Sequence, residues 1–220
     1  MKTLFDYKIE KTWDYENGFY LTSHPSRIPK LLAHYDLYKT ITNLPGHVVE
    51  CGVYKAASLV RFATFRSILE SNFSRKIIGF DAFGEFPREG EAADAEFIEK
   101  FELEGGPGIS VGELEKVLSY KNFSNVEAIK GNITETVPSY VEKHPELKIA
   151  ILHIDVDVYK TSKVILKTLF DRVVAGGIII LDDYGTVDGE TRAVDEYLEG
   201  LSYSIEKLPI SHVPSFIRKE

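Results

Sequence analysis

The stretch AILHIDVDVYKTS, residues 150–162, sets an apolar run against two aspartates one residue apart, Asp155 and Asp157. A carboxylate in a dry site is costly unless it is paired or bound to a cation. If the strand runs on to residue 157, the two share side-chain parity and point the same way. A second pair, Asp182 and Asp183, directly follows GGIIIL, where the end of a neighbouring strand would bring it onto the first. Carboxylates gathered in this way repel one another unless a cation lies between them. An all-oxygen donor set favours Mg2+, with Ca2+ and Mn2+ as alternatives. The competing reading makes the four aspartates helix N-caps and a surface turn.

Parallel strands followed by helices would position such groups. HVVECGV (47–53), KIIGFDAF (76–83), VEAIKG (126–131), KIAILHIDVD (148–157) and GGIIILDDYG (176–185) read as buried strands. AASLVRFATFRSILES (56–71) and TSKVILKTLFDRVVA (161–175) carry apolar residues at helical spacing. The alternation predicts a mostly parallel α/β sheet with helices on both faces. After a helix near ETRAVDEYLEG (190–200), YSIEKLP and PSFIRK read as two late strands forming an antiparallel pair. Residues 1–45, with IPKLLAHYDLYKTI, form an N-terminal helical cap on a domain spanning 46–220. The acid-rich segment 84–113, broken by GGPG, is either a solvated surface helix with a loop or a lid over a site.

In such a sheet, ligands bind beyond the carboxyl ends of the strands. Those ends present Glu50 and Gly52, then the small residues Ala56, Ala57 and Ser58, then Asp81, Gly131 and the aspartate pairs. Gly52 followed by small residues lets a ligand approach the backbone and a helix N-terminus. Asp81 suits ribose hydroxyls, or alternatively an N-cap. His153, inside an apolar run, reads as a hydrogen-bonded core residue, and Cys51 as a buried filler. Tyr7, Trp13, Tyr15, Phe19 and Tyr20 pack the cap, make a substrate platform or form an interface between copies of the chain.

The 220 residues suit one sizeable core. A net charge of −8 disfavours nucleic acid and anionic membranes. A single cysteine suits a reducing compartment. The N-terminus lacks a signal-peptide core and no stretch has the length of a membrane span. These features predict a cytoplasmic protein without a nucleic-acid or membrane partner.

Taken in order, LPGHVVECGVYKAAS, IIGFDAFGEFP, KGNITETVP, LHIDVDVYKTS, AGGIIILDDYG and GETRAVDEYL resemble the macrocin O-methyltransferase (TylF-like) family, from about residue 22 onward. The resemblance implies a Rossmann-like class I methyltransferase fold with a seven-stranded sheet. It also implies S-adenosylmethionine and Mg2+ as cofactors, and a hydroxyl of a sugar or glycosylated small molecule as the acceptor. Glu50, Gly52 and Ser58 fall where the family holds the methionine end of the cofactor, Asp81 on the ribose, and Gly131 with Ile133 near the adenine. Asp155, Asp182 and Asp183 fall on the metal ligands, Asp155 being counted against the cofactor as well. Asp157 matches the carboxylate that serves part of the family as general base.

The chain departs from the family's pattern at four places. Ala56 and Ala57 replace a glycine pair, Ala82 a common serine, Val156 a frequent glycine, and Val158 a histidine found in some relatives. DVDVY is also similar to the signature of haloacid-dehalogenase phosphatases and to the DxD of metal-dependent glycosyltransferases. The aspartate pairs lie too close in the chain for the phosphatase motifs, and a glycosyltransferase leaves Asp81 without its proposed role. A scaffold with a methyltransferase-like fold and no activity is the non-enzymatic alternative.

Overall fold

The computed structural model describes residues 3–4, 7–85, 99–100, 103 and 105–220; the segment expected to form either a surface helix or a lid lies mostly outside them. The N-terminal segment begins with a two-stranded pair, β1 (Thr3–Leu4) and β2 (Tyr7–Lys8). Helices α1 (Thr12–Thr22) and α2 (Arg27–Thr40) come next. From there strands and helices alternate: β3 (His47–Cys51), α3 (Ala57–Leu69), β4 (Ile77–Asp81), α4 (Val111–Tyr120), β5 (Val126–Lys130), α5 (Ile133–Lys143), β6 (Ile149–Ile154), α6 (Tyr159–Leu169), β7 (Val173–Leu181) and α7 (Asp188–Leu198). The described residues end with β8 (Ile205–Lys207) and β9 (Ser215–Arg218).

The main sheet has seven strands in the order β5-β4-β3-β6-β7-β9-β8. Pairing is parallel from β5 to β7, whereas β9 runs antiparallel to both β7 and β8. The chain leaves β3 toward β4 and β5, then crosses back to β6 on the other side. The strand order therefore reverses between β3 and β6, and a crevice opens at their carboxyl ends.

Alternate residues along each strand face opposite layers, which divides the core in two. Val49, Ile78, Leu152 and Ile179 pack with α5 and α6, while Val48, Ile77, Ile151 and Ile178 pack with α2 and α3. On the N-terminal side, α2 buries Ala33, His34, Leu37 and Tyr38. Helix α1 buries none of its residues, and Trp13 is 75% exposed. No described helix is long and apolar enough to cross a membrane.

Two of the strand boundaries that differ from the sequence reading bear on the site. Strand β6 stops at Ile154, so Asp155 and Asp157 lie beyond it and strand parity does not orient them. The β-branched pair Val173–Val174, read as the end of a helix, instead starts β7, where Val173 pairs with Ile149.

The opposite end of the sheet is held by buried arginines. Arg75 donates to Glu70 at 2.8 Å and to the carbonyls of Gly46, Ile41 and Leu44 at 2.8, 3.0 and 3.1 Å, which ties the α2–β3 turn to the start of β4. Tyr38 Oη donates to the same glutamate at 2.6 Å. Removing one member of a buried ion pair leaves the other uncompensated, at about 3–5 kcal/mol. Arg75→Ala should therefore lower the unfolding free energy read from urea titrations by about 3–5 kcal/mol, and a loss below ~1 kcal/mol would contradict the role given to this network.

Candidate active site

A cavity of about 560 Å3 lies over the strand reversal. It is lined by Gly52, Ser58, Asp81, Ile133, Asp155, Asp157, Asp182 and Asp183, which are residues singled out from the sequence. Glu50 and Gly131 do not line it. Glu50 is fully buried behind the wall and accepts a hydrogen bond from Ser58 Oγ. Gly131 backs the wall, donating to the carbonyl of Asp81 at 2.9 Å.

The loop after β3 is shaped by close backbone approach. Gly52 has φ +91, and a Cβ there would lie 1.7 Å from the carbonyl oxygen of Asp155. Only glycine permits this contact between the loop and the acidic turn. Among the described residues Asp81 caps no helix. Its carboxylate accepts from the amides of Val53 at 2.8 Å, Tyr54 at 3.0 Å and Phe83 at 2.6 Å, holding the loop against the end of β4. Ala56 takes a left-handed conformation with φ +63, which costs a residue with a Cβ about 1–2 kcal/mol relative to glycine. The alanine thus occupies a backbone position that suits the glycine of the family pattern. Past the undescribed segment, Tyr54 Oη donates to the carbonyl of Gly105 at 2.6 Å, while Ile109 donates to that of Tyr54 at 2.7 Å.

The acidic turn has its own geometry. Asp155 donates its amide to the carbonyl of Cys51 at 2.9 Å, and Asp182 donates to that of Ile154 at 3.0 Å, so both sit one residue beyond their strands. Asp157 has φ +63, and the amide of Val158 donates to the carbonyl of Val156 at 2.6 Å, closing a three-residue turn around it. The start of α7 clamps this turn: Glu190 donates its amide to the carbonyl of Asp157 at 3.1 Å. Oxygen atoms of Asp155, Asp182 and Asp183 lie within 4.8 Å of one another. The Asp157 carboxyl hydrogen-bonds that of Asp183.

Few positive charges offset this group. Burial, then Asp182, pushes Asp155 well above the usual carboxylate range. Burial and Asp183 push Asp157 up to about 8. Burial, reinforced by Asp183, also raises Glu190, whose side chain accepts from the Asp183 amide at 3.1 Å. Asp182 goes the other way. Burial would raise it, but the hydrogen bond from His153, the imidazole of His34 with Nε2 3.7 Å away, and the charges of His153 and Lys30 hold it well below the usual range. The ammonium of Lys30, from α2, is paired directly with Asp182. His153 lies between two carboxylates, with Nε2 3.2 Å from Asp182 and Nδ1 3.4 Å from Glu50. Despite complete burial, these partners raise it to about 10. It is a hydrogen-bonded core residue that links the end of β3 to the acidic turn.

The donor set suits a divalent cation. Its atoms are all carboxylate oxygens, close enough together to share one ion, and Asp155 and Asp183 are held toward their neutral forms by burial and then by mutual repulsion, which a cation would relieve. Sequence reasoning missed Lys30, Arg27, Arg61 and Glu190 around this cavity. The first three come from the helical layer, where charged residues ordinarily face water. Glu190 stands within the quoted GETRAVDEYL, but nothing in its spacing marks it as buried.

A mostly parallel seven-stranded sheet, with an antiparallel C-terminal pair and a cavity over the strand reversal, defines a class I methyltransferase fold. The profile of the macrocin-O-methyltransferase (TylF) family matches residues 30–215, and the chain belongs to that family. It is 28% identical over 161 residues to demethyldecarbamoylnovobiocin O-methyltransferase of Streptomyces niveus, covering 70% of this chain and 59% of that protein. It is 27% identical over 164 residues to 8-demethyl-8-(2,3-dimethoxy-alpha-L-rhamnosyl)-tetracenomycin-C 4'-O-methyltransferase of Streptomyces olivaceus, covering 70% and 58%. The chain thus spans less than two thirds of the length of either relative. The crystal structure of CalS11, a calicheamicin methyltransferase, superposes with a TM-score of 0.76 at 26% identity, covering 98% of this chain and 88% of that one.

The raised pKa of His153 has a consequence for stability. A group whose pKa rises on folding, here from 6.5 to about 10, contributes its full stabilisation below 6.5 and loses it as the pH climbs through 10. In chelator-treated protein the stability gap between wild type and His153→Gln should narrow steadily across that window in urea titrations. A gap that stays flat or widens would contradict a charged imidazole between Glu50 and Asp182.

Proposed function

We propose that the protein is an S-adenosylmethionine-dependent, Mg2+-dependent O-methyltransferase acting on a hydroxyl of a sugar or glycosylated small molecule. The observation that carries this reading is the meeting, in one cavity, of the Gly52–Ser58 loop and Asp81 with the carboxylates beyond β6 and β7. The first group suits the cofactor, with Glu50 and Ser58 toward its methionine end, Asp81 toward the ribose, and Gly131 and Ile133 toward the adenine. Asp155, Asp182 and Asp183 would hold the metal, with Asp155 also bordering the cofactor.

The chemistry requires a proton to leave a hydroxyl whose pKa lies far above neutrality. When bound, S-adenosylmethionine would supply a sulfonium methyl as the electrophile, with a neutral thioether as the leaving group. A divalent cation supplies polarisation and orientation of neighbouring hydroxyls. Asp157 takes the hydroxyl proton on its carboxylate as the new O–C bond forms. Its turn, clamped by Glu190, fixes the carboxylate at the mouth of the acidic group. The apolar Val53, Val156 and Ile133 help line the cavity and exclude water. A reducing cytoplasmic setting suits the buried free thiol of Cys51, whose pKa burial raises well above its ordinary value.

The test combines calorimetry with S-adenosylmethionine and a turnover assay that reads S-adenosylhomocysteine over a panel of glycosides and sugar phosphates. Asp157→Asn should cut turnover by about 10^2–10^4-fold while cofactor affinity is unchanged. Full turnover in that variant would remove Asp157 from the mechanism, and failure of the wild type to bind the cofactor would overturn the reading as a whole.

A further inference from the structure

The helical side of the cavity carries a charge that the chemistry above does not use. Arg27 on α2 and Arg61 on α3 both line the cavity, Arg61 one turn beyond Ser58. Neither guanidinium has a hydrogen bond or ion pair among the described residues. Arg66 and Arg75, the arginines at the other end of the sheet, are each tied to several oxygens. Arg61 is only partly exposed. Burial and then the neighbouring charge of Arg27 lower its pKa, so the two cations lie close enough to repel. Glu50, Asp155 and Asp182 act on Arg61 from a distance, but none reaches hydrogen-bond contact with it. Beside it on the same wall, Lys30 has its carboxylate partner in Asp182.

Two guanidinium groups lining one cavity, each with its donors unspent, offer planar sets of N–H donors that suit the oxygens of a phosphate. We propose that Arg27 and Arg61 form an anion subsite for the acceptor, which carries a phosphate group on its sugar, as a sugar phosphate or a nucleoside-diphosphate sugar does. The inference builds on the sugar O-methyltransferase reading and narrows its acceptor from glycosides in general to phosphorylated ones. The sugar then spans the cavity, with its reacting hydroxyl at the acidic turn and its phosphate on the helical wall. A second source of the same anionic oxygens, the carboxylate of the cofactor, is the alternative that the test has to separate.

The test is a calorimetric titration of the full chain with inorganic pyrophosphate in chelator, so that no metal bridges the ligand, run both with and without saturating S-adenosylmethionine. Pyrophosphate should bind the cofactor-saturated chain. Arg27→Gln and Arg61→Gln should each weaken it at least ~10-fold, while cofactor affinity stays within about twofold of wild type. Unaltered pyrophosphate binding in both variants would overturn the proposal, as would absence of binding to the wild type. Loss of cofactor affinity in the variants, with pyrophosphate and cofactor excluding each other, would assign the pair to the cofactor carboxylate instead. Arg27 is exposed, so its variant carries the reading even if Arg61→Gln fails to fold. A wild type that binds pyrophosphate but no cofactor would leave the subsite standing and refute methyl transfer.

Discussion

Like charges brought together beyond β6 and β7 are the constraint that the rest of this structure accommodates. Asp155, Asp157, Asp182 and Asp183 converge there, Glu190 lies buried behind them, and Glu50 sits below. Each would be ionised in water, and each is partly or wholly withdrawn from it. Lys30 and His153 supply cations in direct contact, and both act chiefly through Asp182. Burial, with repulsion between neighbours, drives Asp155, Asp157, Asp183 and Glu190 toward their neutral forms. Such an arrangement is expensive unless a bound cation offsets it, and sites that perturb carboxylates in this way are where chemistry is found.

The backbone carries part of the same cost. Tyr54, Ala56, Phe83 and Asp157 all hold left-handed conformations without being glycine, and all lie on the loops that rim the cavity. Strain of this kind persists only where surrounding contacts fix the chain. Here the contacts are specific. Asp81 pins the amides of Val53 and Tyr54, Gly52 lets the first loop touch Asp155, and α7 clamps the Asp157 turn. The loop after β3 and the acidic turn are therefore parts of one assembly, joined above by Gly52 and below by His153.

Much of this was legible in the sequence because it follows from local pattern. Val- and Ile-rich runs ending in glycine or aspartate marked the parallel strands, and the alternation placed their ends on one edge of the sheet. The six quoted segments pointed to the family, and the structural and family matches agree. Side-chain placement beyond the strands was not legible. Asp157 reaches the cluster through a left-handed turn rather than by strand parity, because β6 ends at Ile154 and the chain must bend into α6. Lys30, Arg27 and Arg61 were invisible as site residues because a helix surface normally carries such charges into water. Only the packing of α2 on α3 turns them toward the cavity. Asp81 showed the reverse: the sequence offered a ribose contact or a helix N-cap for it, and its partners in the fold are loop amides.

The most direct test of the central claim, that the acidic turn is built for a divalent cation, is the unfolding midpoint of chelator-stripped protein as Mg2+ or Mn2+ is added back. A ligand that binds only the folded state raises stability with the logarithm of its concentration once sites fill. The account predicts such a rise in the wild type at millimolar cation or below, and its loss in Asp182→Asn. A midpoint that neither ion moves, or one that moves equally in the variant, would contradict it.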